Sequence, residues 1–264
     1  MASTANKRLI SLTIVVLALV GLVFALTSPI PQDPSYHLFA DGRQLFAVPN
    51  YCDVLSNLPF LIVGLWGLST VNKHSRDVCA PELVPACQVF FAGILLTAFG
   101  SGYYHLAPSN ESLVFDRLPM TIGFAGLFSI VMGEFVSIRI GRSLLTPLLV
   151  IGVASVAYWA ITESYGIGDL RPYALIQFLP MLLIPIILSV YRSASDATRY
   201  FWIMLAFYVL AKICEYFDAD VFALGEVISG HTLKHLFASL TPATLLYALT
   251  RRRLSRPGFG ESAR

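Results

Sequence analysis

Apolar stretches long enough to cross a hydrocarbon core recur through the chain at about 9–27, 52–71, 86–105, 119–138, 144–161, 173–191, 200–217 and 231–250. Few folds are open to such a sequence. Lipid offers no partner for backbone N–H and C=O groups, so each span must satisfy its own hydrogen bonds, and long apolar runs without alternation do so as helices. With 56% hydrophobic and 13% charged residues the chain falls outside the soluble globular range. We read it as an all-α integral membrane protein, a seven-helix transmembrane bundle preceded by one extra N-terminal transmembrane helix. The first apolar run follows Lys7 and Arg8, is longer than the usual signal-peptide core and has no small-residue cleavage pattern before Pro29. The expected division is therefore 1–30 for a cytoplasmic tip and the extra helix, 31–50 for an outer segment that could act as a lid, 51–250 for the core, and 251–264 for a basic cytoplasmic tail.

Charge orients the spans, because cytoplasmic loops carry the excess of Lys and Arg. Placing the N-terminus inside puts Lys7, Arg8, Lys73, Arg76, Arg139, Arg142, Arg192, Arg199, Arg251, Arg252, Arg253, Arg256 and Arg264 in the cytoplasm, against Arg43, Arg117 and Arg171 outside. Both termini are then expected in the cytoplasm. The net charge of +2 gives no reason to expect nucleic acid as a partner. Cys52, Cys79, Cys87 and Cys214 lack CxxC spacing, so neither a disulfide framework nor a cysteine metal cluster is indicated.

The last span opens with Gly230-His231-Thr232-Leu233-Lys234-His235. Imidazoles at i and i+4 stand on one helix face and can reach one metal ion. His105, at the end of the third span, is the best-placed third ligand, with Ser101 one turn before it and Asp116 a short way beyond. The topology puts all five at one level in the outer half of the membrane, where ionisable groups are costly and are usually functional. Taken singly, Ser101 reads as a packing residue, His105 as an interfacial one and Asp116 as a helix N-cap, with Pro119 in the first turn. Beside three histidines we read Asp116 as a carboxylate close to the metal and Ser101 as a hydroxyl aimed at whatever binds there. Three nitrogens and an open position describe a catalytic zinc site, in which zinc polarises a carbonyl and activates water.

Other polar residues read more plainly. Lys212 and Glu215 are i, i+3 neighbours and neutralise one another in lipid. His37 belongs to the outer segment and reads as lid more readily than ligand, and His74 is on the wrong side of the membrane. Asn110-Glu111-Ser112 has the form of a glycosylation sequon. A b-type cytochrome with His105 and His231 on haem is a rival that the close His231/His235 pair disfavours.

Asp53-Val54-Leu55-Ser56-Asn57-Leu58-Pro59-Phe60, then Ser101-x-x-x-His105, Asp116-x-Leu118-Pro119-Met120 and His231-x-x-x-His235, resemble in order the motifs of the alkaline ceramidases. That family belongs to a superfamily of seven-helix membrane zinc hydrolases that includes the progestin and adipoQ receptors and the Per1 proteins. The resemblance covers about residues 50–250. It implies zinc held by His105, His231 and His235, with Ser101 and Asp116 assisting attack on a lipid amide. The implied activity is a metal-dependent hydrolase of linear amides in sphingolipid metabolism, with a membrane lipid such as ceramide or another N-acyl lipid as substrate. It would release a fatty acid and a sphingoid-type amine, and the alternative is a receptor-like member with a structural or weakly hydrolytic zinc site. The acidic calcium segment of eukaryotic alkaline ceramidases is absent, Asn50 standing near the place of its glutamate, so calcium is not implied.

Overall fold

The computed structural model describes residues 2–191 and 198–254, so Arg192, Arg256, Arg264 and most of the basic tail lie outside the described residues. Among the described residues the regular secondary structure is all helical, apart from one isolated bridge between Leu45 and Val48. Eight long helices answer the eight apolar stretches: α1 (Ala2–Leu26), α3 (Leu58–Val78), α4 (Val84–Leu106), α5 (Asn110–Val131), α6 (Ile138–Ser164), α7 (Arg171–Val190), α8 (Thr198–Tyr216) and α10 (Gly230–Leu254), with α2 (Tyr51–Leu55) and α9 (Asp218–Ala223) as short pieces between them. Among the described residues six spans are long and apolar enough to cross a membrane, and α8 carries Arg199, Lys212 and Glu215 while α10 carries Lys234. Leu65, Trp66, Phe99, Ile151, Ile186 and Ile213 project outward as a lipid-facing surface requires. α1 lies outside the bundle against α7 and touches the core through Leu9, Leu12 and Val16.

The largest boundary difference from expectation is at the start of α5. The span expected at 119–138 begins as a helix at Asn110, where the Ser109 side chain accepts from the Ser112 amide and Ser112 answers the Ser109 amide. This capping box closes the first turn from a stretch too polar to register as a span. Asp116 therefore sits in the second turn rather than at the cap, and Pro119 falls inside the helix.

Two apolar clusters fill the bundle. The larger joins Phe90, Phe91, Leu127, Ile130, Ile184, Ile187, Phe201 and Leu245, and the smaller joins Tyr104, Leu113, Val156, Trp159 and Tyr173. α4 and α5 pack most intimately where Gly100 faces α5, since a Cβ there would stand 1.9 Å from the Phe115 carbonyl oxygen. This close approach brings the Ser101 turn of α4 against the Asp116 turn of α5. Gly230 does the same for α10, whose start would collide with Cys214 and Asp218 if it bore a Cβ, at 2.2 and 2.7 Å. Gly230→Ala should therefore destabilise the fold by about 1–3 kcal/mol. Its melting temperature in detergent should fall, while Gly21→Ala in α1, with nothing within 4 Å, should not move it.

Residues 31–50 strap across the end of the bundle. Arg43 donates twice to the Asp41 carboxylate, at 2.7 Å each, and at 2.8 Å to the Val227 carbonyl, holding the Asp41 carboxyl below the usual carboxylate range. The Ala40 amide donates to Asp218 Oδ2 at 3.1 Å, and His37 joins the Tyr104 hydroxyl and Asn110 Oδ1 at 2.9 Å each. His37 thus fastens the strap. Asn110, the residue of the sequon, is engaged in that bond and in another to Glu163 at 3.3 Å.

Candidate metal centre

The three histidines meet. His105 comes from the last turn of α4 and His231 and His235 from the first turns of α10, and their ring centroids form a triangle of side 4.9 Å. All three are buried, and one nitrogen from each lies within 4.8 Å of the others, so the group could hold a metal ion.

The ring nitrogens have distinct neighbours. The Ser56 hydroxyl donates to the Asp53 carbonyl at 2.9 Å and stands 2.7 Å from His235 Nδ1. His105 Nε2 lies 3.3 Å from His235 Nε2. Two nitrogens bound tetrahedrally at about 2.0–2.1 Å from one ion stand about 3.3–3.4 Å apart, so this pair already has the spacing of two ligands on one metal ion. His231 Nε2 receives the Lys234 ammonium at 3.2 Å, which marks it as a lone-pair nitrogen. Lys234 also reaches Glu215 at 2.8 Å, a partner it would keep if His231 turned to an ion.

Backbone and ring contacts hold the triad. The His231 amide donates to Asp218 Oδ1 at 2.6 Å, and Asn50 Nδ2 donates to the His105 carbonyl at 2.9 Å. Phe39 of the strap covers the rings, 4.6 Å from His105 and 4.9 Å from His231. Thr232, between the histidines, donates to the buried Asp53 carboxylate at 2.6 Å.

Ser101 and Asp116 are both buried, and with His235 they line one end of an apolar cavity of about 140 Å³. Its walls are Phe90, Ile94, Leu127, Ile184, Phe201 and Met204, from α4, α5, α7 and α8. A second cavity of about 230 Å³ shares Asp116, Met120, Tyr208 and Lys234 with the first, and adds Arg117, Gln177, Lys212 and Glu215. One chamber is greasy, the other charged, and Asp116 stands where they meet. Lys212 pairs with Glu215 as expected, but the same carboxylate also holds Lys234, so the group is a three-membered cluster on the site's edge. Arg117, expected to be an outer charge, is buried over the Trp159 ring at 4.1 Å and donates to Gln32 at 2.5 Å.

All five expected site residues thus lie around one centre. Phe39 comes from the outer segment expected to act as a lid, whereas nothing in the sequence reading assigns Ser56 or Lys234 to the site. A lysine inside an apolar span beside two histidines was a legible signal; the Ser56 contact, 179 residues apart in the chain, was not.

Comparison with known families gives one result of consequence. The family model described as Ceramidase matches residues 46–256, which take in the strap's end, the triad, Ser101 and Asp116. No curated protein matches the chain.

Proposed function

The chain belongs to the ceramidase family, and from that premise we propose that it is an integral membrane, zinc-dependent hydrolase that cuts the amide of a ceramide-like lipid into a fatty acid and a sphingoid-type amine. The observation that carries this reading is the buried His105–His231–His235 triad placed beside Ser101 and Asp116 at the junction of an apolar and a charged chamber. An amphiphile with its amide at Asp116 would lay its acyl chain in the first and its polar head in the second.

Zinc bound by three neutral imidazoles would polarise the carbonyl and lower the pKa of a water to about 7. The chain's own groups do the rest. Asp116 takes the proton of the attacking water and passes it to the amide nitrogen, so that the C–N bond breaks with a neutral amine leaving. Ser101 donates its hydroxyl to the carbonyl oxygen as that oxygen gains charge. Phe39 and the strap exclude bulk water above the triad, which strengthens each of these contacts. The test is a panel of long-chain lipid amides and matched esters given to purified protein. Amide cleavage with release of free amine is expected, and cleavage of esters alone would contradict the reading.

The charge distribution supports a topology with both termini cytoplasmic and the triad toward the periplasmic or luminal side. A reporter active only outside the cytoplasm should be silent when fused after Arg256 and active when inserted at Ser109. Activity at both points or at neither would overturn this orientation.

A further inference from the structure

Ser56 touches an expected ligand but is itself neither a ligand nor a member of the expected acid–base pair. It lies in the break between α2 and α3 and is almost wholly buried, and among the described residues its hydroxyl meets two polar groups: the Asp53 carbonyl at 2.9 Å and His235 Nδ1 at 2.7 Å. A serine has one hydrogen to give. Because that hydrogen goes back to Asp53, the lone pairs of Oγ are left for His235, and the imidazole must donate.

We propose that Ser56 is a positioning residue that fixes His235 in the Nδ1–H tautomer and so presents Nε2 to the metal. The inference rests on the reading of the triad as a metal site, but its structural half does not depend on a metal being bound. Without the hydroxyl, the proton is free to sit on Nε2, 3.3 Å from His105 Nε2, where it would bridge the two rings and block both as ligands. The site builds the opposite. The break that makes this possible is held by its own bonds: Asn57 Nδ2 also donates to the Asp53 carbonyl at 2.8 Å, and the Asp53 carboxylate takes the Thr232 hydroxyl at 2.6 Å. α2 and the break that follows it therefore grip α10 on both sides of the Leu233–Lys234 step, Asp53 through Thr232 and Ser56 through His235. Partners of this kind that orient a ligating histidine are typically worth about 10- to 100-fold in metal affinity.

The test uses the pair Ser56→Thr and Ser56→Val, which share a shape and differ by the hydroxyl, in the full-length protein. Zinc affinity is measured by competition with a chromophoric chelator, and the tautomer of His235 by ¹⁵N shifts of labelled histidine in the metal-free protein. Ser56→Thr should bind zinc within a few-fold of the unaltered protein and keep the Nδ1–H signature. Ser56→Val should weaken zinc by about 10- to 100-fold and show mixed or Nε2–H signals, with its melting temperature close to that of Ser56→Thr. Equal affinity and equal tautomer in the two variants would overturn the proposal. If the unaltered protein binds no zinc, the metal reading fails, and the ¹⁵N comparison still decides what Ser56 does.

Discussion

Removing one imidazole of the triad should empty the site and reduce lipid-amide turnover by about a thousandfold or more, since the contribution of a catalytic metal to the transition state is several kcal/mol. His105→Ala is the cleanest variant, because His105 Nδ1 has no hydrogen-bond partner among the described residues and the change breaks no polar contact beyond the triad. His235→Ala should be as inactive but also frees Ser56, and His231→Ala also releases Lys234 to Glu215 alone. All three should keep the helical content and the membrane insertion of the parent, for the bundle is held by the apolar clusters and the α4–α5 contact rather than by the triad. His74→Ala, at the far end of α3, should retain metal and rate. Metal analysis and turnover on the same preparations decide it, and full zinc occupancy in His105→Ala would remove His105 from the ligand set.

Asp116→Asn should separate proton transfer from metal retention. The helix here is capped by Ser109, so the change costs α5 no cap, and the amide fills the same volume beside Ser101. Zinc content should stay near that of the parent while turnover drops by about a hundredfold or more, the usual weight of a general acid–base group. Ser101→Ala should likewise keep zinc and lose about 10- to 1000-fold if the hydroxyl meets the developing oxyanion. If zinc and rate fall together in Asp116→Asn, the carboxylate supports the metal instead of moving protons, and if neither changes it is a packing residue.

The sequence made the helices and the triad legible for one physical reason each. In lipid a helix must be long and apolar, which periodicity-free composition reveals, and His231 and His235 share a face at a spacing any helix enforces. His105, Ser101 and Asp116 became visible because polar groups at one depth in an apolar chain are conspicuous. The start of α5 was hidden because its first turn is closed by the polar Ser109–Ser112 box outside the apolar run. Arg117 resembled an outer charge because nothing local foretells Trp159 and Tyr173 coming from α6 and α7 to sheathe it. Ser56 and Lys234 act through partners brought in by tertiary packing, Ser56 on His235 and Lys234 on Glu215, and spacing along one segment carries no record of such contacts.

Amide hydrolysis, as proposed, depends on zinc held by the triad. The most direct test of that dependence is to strip purified protein with a chelator, assay it on a long-chain N-acyl sphingoid lipid, and then return one equivalent of zinc. Turnover should vanish with the metal and come back in proportion to zinc bound, up to one ion per chain, in the parent but not in His105→Ala. Full turnover in the stripped protein, or equal recovery in His105→Ala, would contradict it.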